Sequence, residues 1–240
     1  MVLRIVFLAG LLLGAASPTA VDAAQAPRMI LTLGSSGFLD PGGVQSRTGA
    51  TVKAEMEKFR LKDFALIVLA NAPLGGLPAA VQSGLVQYVN EGGAVLITGG
   101  SQSFGSGGYQ AVASVLPFEL RSSDDWRFTP FRSPVILQPG HPILTGVSFI
   151  PVGTLNDMNP RRDAAEIMQA AGGGSAARRA TGTGGGSYPY PLIAELGVGA
   201  GRVLGVAFDL NEYASMRDRD LFVRNTIGYL LAISRAGLGQ

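Results

Sequence analysis

The sequence predicts an α/β fold with three layers, in which helices cover both faces of an open, mostly parallel sheet that ends in an antiparallel edge hairpin. Two continuous apolar runs, at residues 63–70 and 94–98, are typical of strands that are covered on both faces. A segment of helical period separates them, and a β-α-β unit of this kind has parallel strands and a right-handed crossover. Two apolar runs at residues 192–196 and 202–208, separated by a glycine-rich turn, predict the hairpin.

The first predicted element of the folded domain is a strand at residues 29–33. Residues 34–49 contain Gly-Ser-Ser-Gly and Asp-Pro-Gly-Gly, which are turn signals. We interpret them as an irregular crossover, with a second ligand loop as the alternative because the segment follows a strand. Residues 50–59 are ambiguous, since only Val52, Met56 and Phe59 have helical spacing.

An amphipathic helix should connect the two apolar strands. Pro78 is suited to the first helical position, and Gly92 is the expected C-terminal stop. The buried face recurs at the spacing of a helix, i, i+4, i+7 and i+8. Its residues are Val81, Leu85, Tyr88 and Val89.

The middle of the chain is less regular. Residues 109–116 predict a short helix packed by Val112 and Val115, and residues 134–137 predict a short strand. Between them, Asp124 and Asp125 form an acidic pair in a polar stretch. We interpret the pair as a solvated turn, with a metal or acid–base site as the alternative, because no third ligand lies nearby in the sequence.

The last third of the chain contains a weak strand at residues 166–170 and then a low-complexity, flexible segment at residues 171–187. A helix at residues 218–234 should follow the hairpin and close the domain. Its apolar positions recur at helical spacing and predict a buried face. These positions are Val223, Ile227, Leu230 and Leu231.

Residues 1–23 have the features of a secretory signal peptide. Arg4 provides the positive charge, and the apolar run of 12 residues at 5–16 is shorter than the ~20 residues that a transmembrane helix needs. Small residues at Val21-Asp22-Ala23 predict cleavage after Ala23, with an uncleaved anchor as the alternative. We therefore expect a single domain at residues 24–240, periplasmic or secreted in a bacterium, with no transmembrane segment after cleavage.

Composition excludes several kinds of site. The 240 residues include no cysteine, which rules out a thiol nucleophile, a thiolate metal site and disulfides. His141 is the single histidine, so a multi-histidine metal site is excluded and we predict no metal and no cofactor. The formal net charge is only +2, and no basic stripe with interleaved aromatic residues indicates nucleic-acid binding.

The stretch at residues 94–109 is the centre of the predicted site. A buried strand leads into a loop with five glycines, and ligands of open α/β sheets bind at the carboxyl ends of the strands. Glycine allows the backbone to approach a ligand closely, so loop amides would favour an anionic or hydroxyl-rich ligand. The candidate ligand-binding residues are Gly99, Gly100, Ser101, Gln102, Ser103, Phe104, Asp209 and Asn211.

Over residues 60–235 the chain resembles the class I glutamine amidotransferase-like superfamily, and in particular its trehalose-utilisation-type branch. The resemblance is carried by the strand at 64–70, the run Leu85-Val86-Gln87-Tyr88-Val89, and the Gly-Gly and Ser-Phe-Gly-Ser-Gly-Gly-Tyr of the loop. Further along, Val115-Leu116-Pro117, His141-Pro142-Ile143 and residues 201–209 complete it. It implies a flavodoxin-like open sheet.

The same resemblance implies that the catalytic positions of that superfamily are vacant. The cysteine position falls on Thr98 or Gly99, the histidine position on Asp209 and the glutamate position on Asn211. A thiolate nucleophile needs a base to activate it and an acid to orient the base. Glutamine hydrolysis by the family's mechanism is therefore not expected, and we predict no catalytic residues.

Three functions follow as hypotheses. The first is a catalytically inactive binding domain for a small molecule or a cell-envelope protein, with Asp209 either contacting the ligand or capping loop amides. The second is a serine hydrolase that uses Ser101 or Ser103 with His141 and Asp209, although the loop lacks a G-x-S-x-G elbow and His141 is expected to bond local backbone. The third is a structural domain of a cell-envelope assembly.

Overall fold

A computed structural model describes residues 28–56, 58–132, 134–148, 152–170, 190–212 and 218–237. The three α-helices are α1 (Pro41–Thr48), α2 (Ala79–Asn90) and α3 (Arg219–Ile233). Short 3-10 helices occupy Leu61–Asp63, Leu74–Gly76, Tyr109–Val115 and Pro142–Leu144. The strands are β1 (Met29–Gly34), β2 (Thr51–Lys53), β3 (Leu66–Ala70), β4 (Ala94–Thr98), β5 (Phe118–Leu120), β6 (Trp126–Arg132), β7 (Pro134–Ile136), β8 (Val152–Asn156), β9 (Met158–Pro160), β10 (Ala165–Ala170), β11 (Tyr190–Val198) and β12 (Gly201–Val206).

Eight of the strands form one sheet in the order β2-β1-β3-β4-β12-β11-β10-β7. The first five are parallel to their neighbours, and β11, β10 and β7 continue the sheet by antiparallel pairing. The carboxyl ends of β1, β3, β4 and β12 therefore meet at one edge of the sheet. This arrangement confirms the predicted flavodoxin-like open sheet with its antiparallel edge, and it places β4 near the middle.

Helices cover both faces of the sheet, as the alternation along β4 requires. Leu96 packs into the apolar cluster that contains residues of α1 and α3, whereas Ile97 packs into the cluster that contains residues of α2 and of the Tyr109–Val115 helix. Both side chains are almost fully buried, and each burial of this kind stabilises the fold by about 1.5–3 kcal/mol. The predicted faces of α2 and α3 are confirmed, since Val81 and Ile227 lie in these clusters.

Two segments near the N-terminus differ from the sequence-based expectation. Residues 41–48, interpreted as irregular crossover, form α1, because Pro41 sits at the start of the helix, Val44 is buried and Gly49 ends the helix with a φ of 69°. Residues 51–53 form the edge strand β2, although the segment had helical spacing, because backbone pairing with β1 outweighs the local pattern.

The polar stretch at residues 117–130 contains β5 and the first part of β6. These strands form two small antiparallel ribbons outside the main sheet, β5 with β9 and β6 with β8. The predicted signal peptide and the low-complexity segment at residues 171–187 lie outside the described residues. Among the described helices, none is both long and apolar enough to cross a membrane.

Candidate functional site

The candidate site lies at the carboxyl edge of the sheet, where four neighbouring parallel strands end. The chain leaves β3 at Asn71, β4 at Gly99 and β12 at Ala207, with Asp209 two residues further on. On the outer side, Ser35 follows β1, and its amide donates to the Ala70 carbonyl at 2.7 Å. The predicted neighbourhood of Asp209 and the glycine loop is therefore present at the point where the fold class places ligands.

Asp209 is the acidic centre of this edge. Its side chain is buried, and the residue is only 5% exposed. One carboxylate oxygen accepts from the backbone and side-chain amides of Asn211, at 2.8 and 3.0 Å, and the other accepts from the Asn71 side chain at 2.9 Å. The Asn211 side chain also donates to the Ser35 carbonyl. Asp209 thus links the end of β12 to the end of β3 through Asn71, and to the end of β1 through Asn211.

Asn71 connects Asp209 to the glycine loop. Its side-chain NH₂ donates to Asp209, and its side-chain oxygen accepts from the Gln102 amide at 2.9 Å. The backbone of Asn71 has a φ of 43°, a left-handed conformation that asparagine tolerates better than most residues. The sequence analysis missed this residue, although an asparagine directly after a buried strand was the available signal.

Asn156 and Asp125 hold the other side of the loop. The buried Asn156 side chain accepts from the Gly100 amide at 2.9 Å and donates to the Gly100 carbonyl and to Asp125. Asp125 accepts from the amides of Gly105 and Ser106, each at 2.9 Å, and from the Ser106 hydroxyl at 2.6 Å. These two side chains come from β8 and from the residue before β6, so the ribbon is anchored on the loop.

The interpretation of the acidic pair as a solvated turn is wrong for one member. Asp125 is 1% exposed, whereas the side chain of Asp124 is 85% exposed and pairs with Arg127 at the surface. The buried carboxylate is stable because four hydrogen-bond donors converge on it. Its role is to shape the loop.

Several loop glycines are required by close packing. A Cβ at Gly99 would lie 2.5 Å from the Ala207 backbone, and one at Gly100 would lie 2.1 Å from the Asn71 side chain. A Cβ at Gly105 would lie 1.9 Å from the Ser122 carbonyl. The loop is thus pressed against its neighbours, and many of its amides donate to them.

The structure separates the candidate loop residues into two groups. Ser101 and Gln102 are exposed at the edge of the sheet, whereas Ser103 and Phe104 are fully buried. Phe104 has a φ of 50° and packs edge-on against Phe118, with ring centroids 5.5 Å apart. A ligand at this edge would therefore meet the side chains of Ser101 and Gln102, together with the half-buried Asn211.

The triad of the hydrolase hypothesis is not brought together. The hydrogen bonds of Asp209 go to Asn71 and Asn211, as described above. His141 instead accepts from the Ile143 amide at 3.5 Å and lies 3.8 Å from Glu195, so its expected local backbone bond is present. Ser103 is inaccessible to a substrate because its exposed fraction is zero.

His141 belongs to a separate, partly buried cluster beside α3. Its ring lies edge-on to Tyr229, with centroids 5.1 Å apart. Burial, and secondarily the Glu195 carboxylate, raise the pKa of the Tyr229 hydroxyl to about 12. Because Glu195 lies on β11 and Tyr229 on α3, this cluster fastens the helix to the sheet.

The structure describes the residues to which the sequence resemblance assigns the cysteine, histidine and glutamate positions. Thr98 is the last residue of β4 and is fully buried, and Gly99 follows it with its amide 2.7 Å from the Val206 carbonyl. Asp209 and Asn211, the residues assigned to the other two positions, are hydrogen-bonded to each other. In the part of the chain that the structure describes, no three carboxylate or histidine side chains are grouped so that they could hold a metal ion.

Comparison with known proteins gives structural likeness only. No family model and no curated protein matches the sequence. A cytoplasmic protein from Salmonella typhimurium LT2 matches with a TM-score of 0.64 and 17% identity, over 87% of this chain and 100% of its own. A ThuA-like protein from Bacteroides uniformis ATCC 8492 matches with a TM-score of 0.57 and 11% identity, over 92% of this chain and 99% of its own.

A third likeness is to part of a larger enzyme. The β-galactosidase from Rahnella sp. R3 matches 85% of this chain with a TM-score of 0.52 and 12% identity, but only 31% of its own length is covered. At these identities the matches establish the fold and leave the activity open. The chain therefore has a flavodoxin-like α/β fold of the kind that is seen in a ThuA-like protein.

Proposed function

We propose that this chain is an exported, catalytically silent glutamine amidotransferase-like domain that binds a small polar ligand at the carboxyl edge of its sheet. The observation that carries the proposal is the hydrogen-bonded series from Asp209 through Asn71 to the Gln102 amide. This series fixes the edge in one arrangement before any ligand arrives, and a preorganised site loses less entropy on binding. Ser101 and Gln102 remain exposed beside it.

The catalytic silence is supported by the groups that occupy the three key positions. β4 ends in the buried Thr98, and Gly99 follows it. A nucleophile would have to be accessible at this point of the chain. Asp209 is held by donors from Asn71 and Asn211, and the described contacts connect it to no imidazole. Nucleophilic catalysis requires a nucleophile within reach of an oriented base, and these residues provide neither.

The hydrogen bonds of the loop amides change the ligand chemistry that we expect at this edge. The amides of Gly100, Gln102, Gly105 and Ser106 donate to side chains of this chain, which removes most of the support for an anion cradled by the loop. The side chains that are accessible at the edge are the hydroxyl of Ser101 and the carboxamides of Gln102 and Asn211. Such groups both donate and accept, so they suit a neutral ligand with several hydroxyl or amide groups.

The proposal of export rests on the sequence of residues 1–23 alone. One protein of similar fold is a cytoplasmic protein, so the fold itself does not favour either compartment. The apolar run and the small residues before position 24 are the features that support secretion.

A thermal-shift screen of the full chain against sugars, nucleotides and amino acids tests the binding proposal. We expect a hit whose stabilisation is lost in Ser101→Trp, because an indole at this exposed position would fill the edge without removing a described side-chain hydrogen bond. Ser83→Trp, on the exposed side of α2, is the matched control and should keep the full shift. A hit that Ser101→Trp leaves unchanged would place the ligand elsewhere, and a screen without any hit would count against the proposal.

A further inference from the structure

Phe128 is a strongly exposed aromatic side chain on β6. The residue is 76% exposed, whereas the next most exposed large apolar residue that the structure describes, Leu137, is at 41%. A single exposed apolar side chain is common on protein surfaces and does not by itself indicate a site. The role of Phe128 depends instead on its place beside the carboxyl edge of the sheet.

The pairing of β6 with β8 fixes the face of the ribbon on which Phe128 lies. Trp126 lies opposite Asn156, and Phe128 lies opposite Thr154, without a register shift between the two pairs. Opposed residues of an antiparallel pair share one face, and so do residues two apart in a strand. The Asn156 side chain on this face bonds to the amide and the carbonyl of Gly100. Phe128 therefore lies on the face of the ribbon that is turned toward the glycine loop.

Thr154 connects this face to the carboxyl edge. Its hydroxyl donates to the carboxylate of Glu212, which is exposed. Glu212 directly follows Asn211, whose carboxamide is accessible at the edge. Cross-strand partners such as Thr154 and Phe128 have Cβ atoms about 4.5–5.5 Å apart. The aromatic ring thus borders the same edge as the carboxylate and the carboxamide.

An aromatic ring beside polar side chains of this kind suits a neutral saccharide. One face of a pyranose ring carries C–H groups, which pack on the electron-rich face of an aromatic ring. Its hydroxyls donate to carboxylates and exchange hydrogen bonds with hydroxyls and carboxamides. Asp209 and Glu212 place negative charge at the edge, and none of the described residues that we assign to the edge is basic. A phosphate or another anion would therefore be repelled.

We propose that the ligand of the carboxyl edge is a neutral saccharide and that one of its rings packs on Phe128. The inference rests on the binding function proposed above, and it adds a chemical class of ligand and a binding residue outside the glycine loop. Ser101 and Gln102 bond hydroxyls of the ring from the side of the loop, and Glu212 accepts from hydroxyls on the side of the ribbon. Phe128 selects ligands that have an apolar ring face.

Isothermal titration calorimetry of the full chain with glucose, galactose, mannose, maltose, lactose and cellobiose tests the inference. We expect saturable binding of at least one of these sugars. Phe128→Ala should weaken it about tenfold by removing the ring, and Phe128→Tyr should keep the affinity of the wild type. Glucuronate should bind more weakly than the neutral sugars, because its carboxylate would approach Glu212.

Leu137→Ala is the matched control. It removes another exposed apolar side chain, directly after β7, which lies three strands from β12 in the main sheet. This variant should keep the affinity of the wild type. The circular dichroism spectrum of Phe128→Ala should match that of the wild type, because most of the Phe128 ring is exposed in the folded chain.

Full sugar affinity in Phe128→Ala would overturn the inference, and so would glucuronate binding as tightly as the neutral sugars. A chain that binds nucleotides or amino acids in the thermal-shift screen but none of these sugars would also overturn it, while leaving the proposed binding function intact. A chain that binds no compound in either experiment would contradict both.

Discussion

Replacing Asp125 by alanine should lower the free energy of unfolding by about 3–5 kcal/mol, since a buried donor left without an acceptor costs about 1–3 kcal/mol. The substitution removes the acceptor of the Gly105 and Ser106 amides, of the Ser106 hydroxyl and of the Asn156 side chain. Urea unfolding followed by circular dichroism measures the change. This should be among the most damaging single substitutions outside the apolar core.

The neighbouring residue is the control for that measurement. Asp124 is exposed and forms a surface ion pair with Arg127, so Asp124→Ala should change the free energy of unfolding by no more than about 0.5 kcal/mol. Both variants lose one negative charge at adjacent positions of the chain. Similar small losses in the two would show that the buried carboxylate does not hold the glycine loop.

Asn71→Asp should lower the stability by about 2–4 kcal/mol at neutral pH, because two carboxylates 2.9 Å apart cannot both be ionised without a large penalty. The new carboxyl would face Asp209 in place of a donor. Repulsion raises a folded-state pKa above its unfolded value near 4, so the penalty is present at neutral pH and disappears as the pH falls toward about 4. Urea unfolding of variant and wild type across this pH range measures it.

Asn90→Asp is the matched control, since Asn90 is exposed on α2 and its side chain donates only to the Val86 carbonyl. Its effect should be no more than about 1 kcal/mol, because the new charge lies at the exposed C-terminal end of α2. A loss of stability in Asn71→Asp that does not change with pH would contradict the assigned contact between Asn71 and Asp209.

The sheet could be predicted because its central strands are continuous apolar runs. β3 and β4 are buried at every residue, and a strand covered on both faces has a sequence that few other structures share. Regular helical spacing made α2 and α3 equally predictable. The predicted proximity of Asp209 and the glycine loop also followed from the fold class, since parallel strands end at one edge.

The segments that were interpreted wrongly or left ambiguous depend on contacts made far along the chain. α1 contains two glycines and one buried residue, so its local pattern carries almost no helical signal. β2 exists because it pairs with β1, which its own sequence does not show. The burial of Asp125 involves the side chain of Asn156, which lies 31 residues later in the chain and donates a hydrogen bond to it.

The residues that shape the candidate site were also hard to predict, because their contacts join distant parts of the chain. Asn71 and Asn156 hold the two sides of the glycine loop, but neither belongs to a motif, and only the folded chain brings their side chains to it. The glycines of the loop have a structural role that their sequence pattern did not indicate. They allow neighbouring backbone and side chains to approach, as the contacts around Gly99 and Gly100 show.

The most direct test of ligand binding at the carboxyl edge is a map of backbone amide chemical shifts, recorded while a hit from the thermal-shift screen is added to the labelled protein. Binding at this edge predicts the largest changes at Asn71, Ser101, Gln102 and Asn211, whose amides or side chains form it. Changes confined to other residues, such as those of β7, would contradict the account.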